Sequence, residues 1–182
     1  MNVIERMQHL YSKKSKHSNY QLLPKRLRGY FSNQLLETKS RHEESRLQFI
    51  TEAIEVKGKS ILDIGGNIGF FTFEMLERGA LSGVIYEGNK EHAEFMKLAA
   101  EVLGFSGKIS VINEYFNFNH TNTAEKYDIA LLMNVLHHLG DDFGNTSISI
   151  EEARQAMVEA LNNMSYLAEY LVFQIGYCWK GN

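Results

Sequence analysis

The residues best placed to do chemistry lie in one short stretch. Asp63-Ile64-Gly65-Gly66-Asn67-Ile68-Gly69 sets three glycines within five positions, directly after the apolar run Ser60–Ile64. Glycine opens backbone angles closed to other residues and lets a ligand approach the main chain. A helix starting just behind such a loop points its free N–H groups at the same place, which suits a ligand with a carboxylate or a phosphate. Glu87 follows 18 residues after Gly69, at the end of the run Gly83-Val84-Ile85-Tyr86. A carboxylate there can accept two hydrogen bonds from a ribose diol and repels a 2′-phosphate.

Two phosphate-binding classes fail on spacing. A dinucleotide loop needs G-x-G-x-x-G. Counting from Gly65, the second and third glycines are replaced by Asn67 and Phe70, and counting from Gly66 the second is Ile68. No Gly-Lys-Ser/Thr follows, so the nucleotide P-loop is excluded as well.

Further along, Ile112-Asn113-Glu114-Tyr115 closes a third apolar run, and Tyr127–Met133 leads into Asn134-Val135-Leu136-His137-His138-Leu139. Taken together, these segments resemble the class I, S-adenosylmethionine-dependent methyltransferases. Ile-Leu-Asp-Ile-Gly-Gly-Asn-Ile-Gly is similar to their first motif, hydrophobic-hydrophobic-Asp-x-Gly-x-x-x-Gly, and the segment through His137-His138-Leu139 to their fourth. The resemblance covers roughly residues 40–176, about three quarters of the chain. It implies that the loop wraps the methionine part of S-adenosylmethionine, with Gly65 and Gly69 as the matched glycines and Gly66 between them. It implies that Asp63 orders the loop near the cofactor's amino group and that Glu87 takes the ribose. Glu114 stands where family members carry an acidic residue near the adenine amino group, with Tyr115 beside it against the base. Asn134 is the candidate contact near the transferred methyl. Asn67 departs from the pattern, since many members have glycine there.

The adjacent histidines allow two readings. An imidazole titrates near neutrality and can act as a general base, which makes His137 the candidate catalytic residue; alternatively both rings pack and cap a turn. Neighbouring positions diverge on a helix, and His92 and His120 supply no ligand spacing, so no metal is expected. Methyl transfer from a sulfonium asks mainly for alignment of nucleophile, methyl and sulfur. The lack of a triad therefore does not count against the resemblance.

These residues need a scaffold that brings strand ends together. Ser40 and Glu43 have capping-box spacing before Leu47, Ile50 and Ile54, which predicts a helix to about Val56. Strands are expected at Ser60–Ile64, Gly83–Glu87, Lys108–Ile112, Tyr127–Met133 and Tyr170–Ile175, with helices over Phe70–Glu77, behind Asn89, and behind Ser149 and its box partner Glu152. Short strands apolar on both faces, alternating with helices, predict a Rossmann-like three-layer αβα sandwich with a mainly parallel sheet. Ligands on such sheets bind beyond the strands' carboxyl ends. The family fold has seven strands, the last two antiparallel. Only five are readable here, so the chain is expected either to be a piece of a longer polypeptide or to complete its sheet otherwise.

Bulk properties set the outer limits. A chain of 182 residues fits one domain. We divide it into a basic helical N-terminal extension, 1–39, and a cofactor-binding core, 40–182. Its single cysteine, Cys178, excludes an intrachain disulfide, and no apolar run reaches the length of a membrane span. With no signal-peptide pattern at the N-terminus, the expected location is the cytoplasm. Residues 1–46 carry ten Lys/Arg against four Asp/Glu, a net +6, and the rest of the chain carries −9. Either the basic arm is a solvated helical extension, or it meets an anionic partner such as nucleic acid, phosphate or a lipid surface. The expected activity is methyl transfer to a small-molecule or glycan acceptor. An RNA-modifying enzyme and a non-catalytic scaffold on the same fold are the alternatives. The arm is expected to shape the acceptor site and to leave the cofactor site alone.

Overall fold

The computed structural model describes residues 1–13, 21–32, 40–119, 125–141 and 144–176. His120, Tyr177, Cys178 and Trp179 lie outside the described residues, as do parts of the arm including Lys14 and Lys16.

Five strands form one parallel sheet: β1 (Ser60–Ile64), β2 (Ser82–Tyr86), β3 (Ile109–Ile112), β4 (Tyr127–Met133) and β5 (Ala168–Gln174). Their order is β3-β2-β1-β4-β5. The strand order reverses between β1 and β4, and this switch point opens a crevice at the carboxyl ends. Register is continuous across it, with Ile64 opposite both Tyr86 and Leu132.

Helices cover both faces. On one side lie α1 (Val3–Ser12), α2 (Glu43–Ala53), α3 (Phe70–Glu77) and α4 (Lys90–Leu103). Their buried side chains join Ile61, Ile85, Ile129 and Leu131 in a single core. On the other side α5 (Ile150–Asn163) and the 3-10 turn Met164–Tyr166 pack through Ala160 and Met164 against Leu62, Ile64, Ala130 and Leu132. Successive strand residues feed opposite cores, as strand alternation requires. The sequence expectation of a Rossmann-like sandwich holds, with strand ends shifted by one or two residues.

Local signals act as read at two helix starts. The Asn89 side chain accepts from His92 N–H, and Ser149 and Glu152 form a reciprocal capping box. The Ser40–Glu43 box does not form. His42 adopts a left-handed conformation, φ 64°, so α2 begins at Glu43. Glu43 is then in the first turn's first position, and its carboxylate folds back to accept from Ser40 Oγ and Arg41 N. The helix also ends at Ala53, earlier than Val56.

The N-terminal arm is packed into the core. Met7, Leu10 and Tyr11 of α1, and Leu23, Leu27 and Phe31 beyond it, are buried. Tyr11 and Phe31 meet edge to face at 5.3 Å, and both approach Phe95 of α4. Four of the arm's described cations face acidic partners on the body: Arg6–Glu94, Lys13–Glu91, Arg26–Glu77 and Arg28–Glu44. Exposed pairs of this kind contribute little each; apolar burial holds the arm. No helix among the described residues is long and apolar enough to cross a membrane.

Burial of Leu10 yields the first prediction. Leu10→Ala should destabilise the whole domain by about 2–5 kcal/mol, measured by urea unfolding with tryptophan-independent circular dichroism. An unchanged midpoint would mean that the arm is dispensable to the fold.

Candidate functional site

Every strand end at the switch point contributes to one cavity of about 590 Å³, a size suited to a small molecule. Asp63, Gly65, Gly66, Asn67, Glu87, Glu114, Tyr115, Asn134 and His137 all line it. Gly69 does not. It closes the loop behind the cavity: its N–H donates to Gly66 O at 2.8 Å, and it begins α3 at φ 82°.

The glycine loop is shaped by close packing. Gly65 lies at φ 73°, and a Cβ there would stand 2.7 Å from Val135 Cγ2. A Cβ on Gly66 would collide with Ile85 Cγ2. Asn67 also lies in the left-handed region, φ 55°. Asparagine tolerates that conformation better than most residues, which is the physical reason it can replace glycine here. The loop is tied to β2 by Gly65 N–H donating to Tyr86 O at 2.8 Å. Helix α3 spans Phe70–Glu77, the expected bounds.

Two buried carboxylates organise this loop. Asp63 accepts from Thr72 Oγ1 at 2.7 Å, tying the end of β1 to α3. Burial pushes its pKa up to about 6, opposed by that hydrogen bond. Glu87 accepts from Asn67 N at 2.7 Å and Asn89 N at 2.8 Å, one on each oxygen. Burial pushes Glu87 up to about 7, against the pull of the two N–H donors, with the Asp63 charge adding a smaller upward push. His92 Nδ1 stands 3.9 Å from Glu87 and 3.4 Å from Asn67 Nδ2.

At the β3 end, Asn113 Nδ2 donates to the carbonyls of Glu87 and Gly88 and locks the two loops together. The Tyr115 ring lies directly on Gly88, where a Cβ would stand 2.5 Å from it. Tyr115 thus floors one end of the cavity while staying 64% exposed. Glu114 is exposed at the same end.

At the β4 end, Asn134 is the third non-glycine residue in the left-handed region, φ 57°, and its N–H donates to Gln174 O at 2.8 Å. A residue held there outside a turn glycine is a strained position of the sort that clusters at ligand sites. Leu136–His138 form a 3-10 turn. The His137 and His138 rings lie 3.9 Å apart, and the His137 ring packs 3.0 Å from where a Gly176 Cβ would be. Both rings border the cavity. Among the described residues, no three His, Cys, Asp or Glu side chains converge as metal ligands.

Three lining residues have no local signal in the sequence. Gln21 comes from the arm, Arg41 from the turn before α2 and Arg46 from α2, where Glu43 also lines the cavity. Gln21 Oε1 accepts from Phe70 N, the first N–H of α3, at 3.2 Å. Gln21 thus brings the arm to the helix that backs the glycine loop. Its side chain occupies one of the helix donors that sequence reasoning left free for a ligand.

No family model matches the chain, and no curated protein matches it in sequence. Solved structures do resemble it. WbdD superposes with a TM-score of 0.63 at 19% identity, over 89% of this chain and 34% of that one. WbdD bound to the kinase inhibitor LY294002 gives 0.61 at 20% identity, over 89% and 34%. The yhhF protein of Escherichia coli, which carries a methyltransferase name, gives 0.50 at 14% identity, over 75% and 66%. The chain spans about a third of the length of WbdD and just under two thirds of yhhF. At these identities the likeness defines the fold. It is a Rossmann-like α/β fold with a five-stranded parallel sheet in the order β3-β2-β1-β4-β5.

Asp63 supplies a prediction with a definite sign. Its folded-state pKa is raised, so the stability it allows is full below the unfolded value near 4 and is lost as pH rises through about 6. Asp63→Asn should therefore make the ligand-free protein more stable at pH 8, by on the order of 2 kcal/mol, with the gap closing toward pH 4. Urea titrations at the two pH values read this directly; a variant destabilised equally at both would contradict it.

Proposed function

We propose that the chain is the S-adenosylmethionine-binding domain of a methyltransferase. The observation that carries this reading is convergence. The Asp63–Gly69 loop, Glu87 and Asn134 are separated by up to 71 positions in sequence, yet line one cavity at the switch point. A scaffold that had lost its ligand would have no need to keep the Glu87 carboxylate buried beside a cavity, with Asn67 and Asn134 both in left-handed conformations along its lining.

The residues fit the cofactor. Each carboxylate oxygen of Glu87 already accepts one backbone N–H, but an ionised carboxylate has about four acceptor sites, so both remain able to accept from a ribose diol. The acidic end of the cavity, with Asp63, Glu87 and Glu114, suits hydroxyl, amine and ammonium donors and repels phosphates. Gly65 and Gly66 leave no space for a side chain and present bare backbone at the loop. When bound, the cofactor supplies an activated methyl on a sulfonium. The protein's part is alignment and exclusion of water. Asn134 borders the methyl position on this reading. His137 is the candidate general base for an acceptor that must lose a proton, and Tyr115 and Glu114 flank the adenine end.

For the acceptor we propose a small molecule or a glycan. Support comes from the cavity of about 590 Å³, a size suited to a small molecule. An RNA acceptor is disfavoured by the arm, whose cations at Arg6, Lys13, Arg26 and Arg28 are turned onto glutamates of the body.

Calorimetry tests the proposal. S-adenosylhomocysteine should bind saturably and NAD should not; the reverse would sink it. Glu87→Gln should weaken S-adenosylhomocysteine about tenfold or more, since a hydrogen bond to a charged acceptor contributes roughly 1.5–3 kcal/mol. An affinity equal to wild type in a folded variant would remove Glu87 from the ribose role. Transfer of labelled methyl to extracted glycan, small-molecule and RNA pools then selects among acceptors.

A further inference from the structure

His92 is a titratable group buried behind the cavity wall. It lies in the first turn of α4, 6% exposed, and is not itself a lining residue. Its Nδ1 stands 3.9 Å from Glu87 Oε1, the oxygen that accepts from Asn89 N, and 3.4 Å from Asn67 Nδ2. Asn67 N in turn donates to the other oxygen of Glu87. One imidazole nitrogen therefore faces both the carboxylate and the loop residue which that carboxylate holds.

The contact with Asn67 suits either protonation state. A neutral ring with its proton on Nε2 accepts from the Asn67 amide at Nδ1. A protonated ring donates from Nδ1, and the same amide, turned over, presents its oxygen. Burial pushes Glu87 up to about 7, and an imidazole titrates in the same range, so carboxylate and ring compete for one proton as pH falls through neutrality. On Glu87 that proton neutralises the carboxylate and occupies an acceptor site. On His92 it leaves the carboxylate ionised beside a cation, the arrangement that opposite charges favour. Nearby groups act in both directions. Asp63 adds negative charge from the end of β1. On α4, Glu91 interacts with the ring and pairs with Lys13 at 3.5 Å, and the Arg6–Glu94 pair joins the same two helices. The start of a helix disfavours a cation; a carboxylate 3.9 Å away in a buried site outweighs it.

We propose that His92 is a positioning residue for the ribose acid: below neutrality its imidazole takes the proton that Glu87 would otherwise take, and so keeps that carboxylate ionised to accept from the ribose diol. The ribose half of this inference rests on the proposed cofactor; the linkage between His92 and Glu87 does not.

Two measurements on the full chain test it. The first needs no ligand. Carbon-13 NMR follows the Glu87 carboxyl, whose signal is identified by its loss in Glu87→Gln. In His92→Leu, which fills the space, and in His92→Gln, which keeps a polar contact to Asn67, that carboxyl should titrate about one pH unit or more above wild type. The second is calorimetry with S-adenosylhomocysteine at pH 8 and pH 6. Both variants should bind within about twofold of wild type at pH 8 and lose at least about fivefold relative to wild type at pH 6. In a Glu87→Gln background the same substitutions should open no such gap. Melting curves verify folding, and either folded variant suffices. A Glu87 carboxyl that titrates at the same pH with and without His92 overturns the proposal. So does a loss of affinity equal at the two pH values, which packing alone would give. Should wild type fail to bind S-adenosylhomocysteine at either pH, the ribose half falls with the cofactor reading, and the carboxyl titration still decides the linkage.

Discussion

The site depends on a carboxylate buried in backbone donors. Glu87 sits at the end of β2 and holds Asn67 N–H from the glycine loop on one oxygen and Asn89 N–H from the start of α4 on the other. One side chain thus fixes the end of β2 and the start of α4 to a loop twenty positions earlier in the chain. Asp63 does the same on the neighbouring strand, joining β1 to α3 through Thr72. Both carboxylates lose solvation, and both have raised pKa values as a result. A ligand that brings hydroxyls or an ammonium into this end of the cavity restores part of what burial removed. The loop is thus preorganised around groups that favour a hydrogen-bond-donating, non-phosphorylated ligand.

The second constraint is the arm. Its charge invites a reading as a tether for an anionic partner, and its packing argues otherwise. Met7, Leu10, Leu27 and Phe31 complete the core on the face of α4. Four of its described cations, Arg6, Lys13, Arg26 and Arg28, are opposed by Glu94, Glu91, Glu77 and Glu44. For those four, the asymmetry of charge along the chain is complementarity between two parts of one fold. Gln21 extends the arm to the first N–H of α3, so displacement of the arm would uncap the helix that backs the glycine loop.

What was legible in the sequence follows from range. Tyr127–Met133 is an unbroken apolar run, and its strand has those bounds. Asn89, and Ser149 with Glu152, cap helices through contacts three residues apart, which a linear pattern can record. The glycine loop and Glu87 were found because a loop that meets a ligand through its backbone needs particular residue types at fixed spacing. Gln21 acts across 49 positions and Arg46 across 128. Neither has a local partner that would mark it, and both look like ordinary surface residues. The Ser40 box failed for a different reason: the spacing was right, but the turn at His42 moved the helix start so that Glu43 reached Ser40 from the wrong position.

The sheet divides the labour of the cavity unequally. β1, β2 and β4 are flanked by strands on both sides, and the loops that follow them carry Asp63, the glycines, Glu87 and Asn134. β5 is at the edge of the described sheet, and its apolar side chains Tyr170, Leu171 and Phe173 are between 37% and 41% exposed. Arg46 on Gln174 and His137 on Gly176 border that edge. The hydrogen bonds of the Glu87 carboxylate stay with the loop after β1 and the start of α4, so changes along β5 can occur without disturbing that carboxylate or the loop it holds.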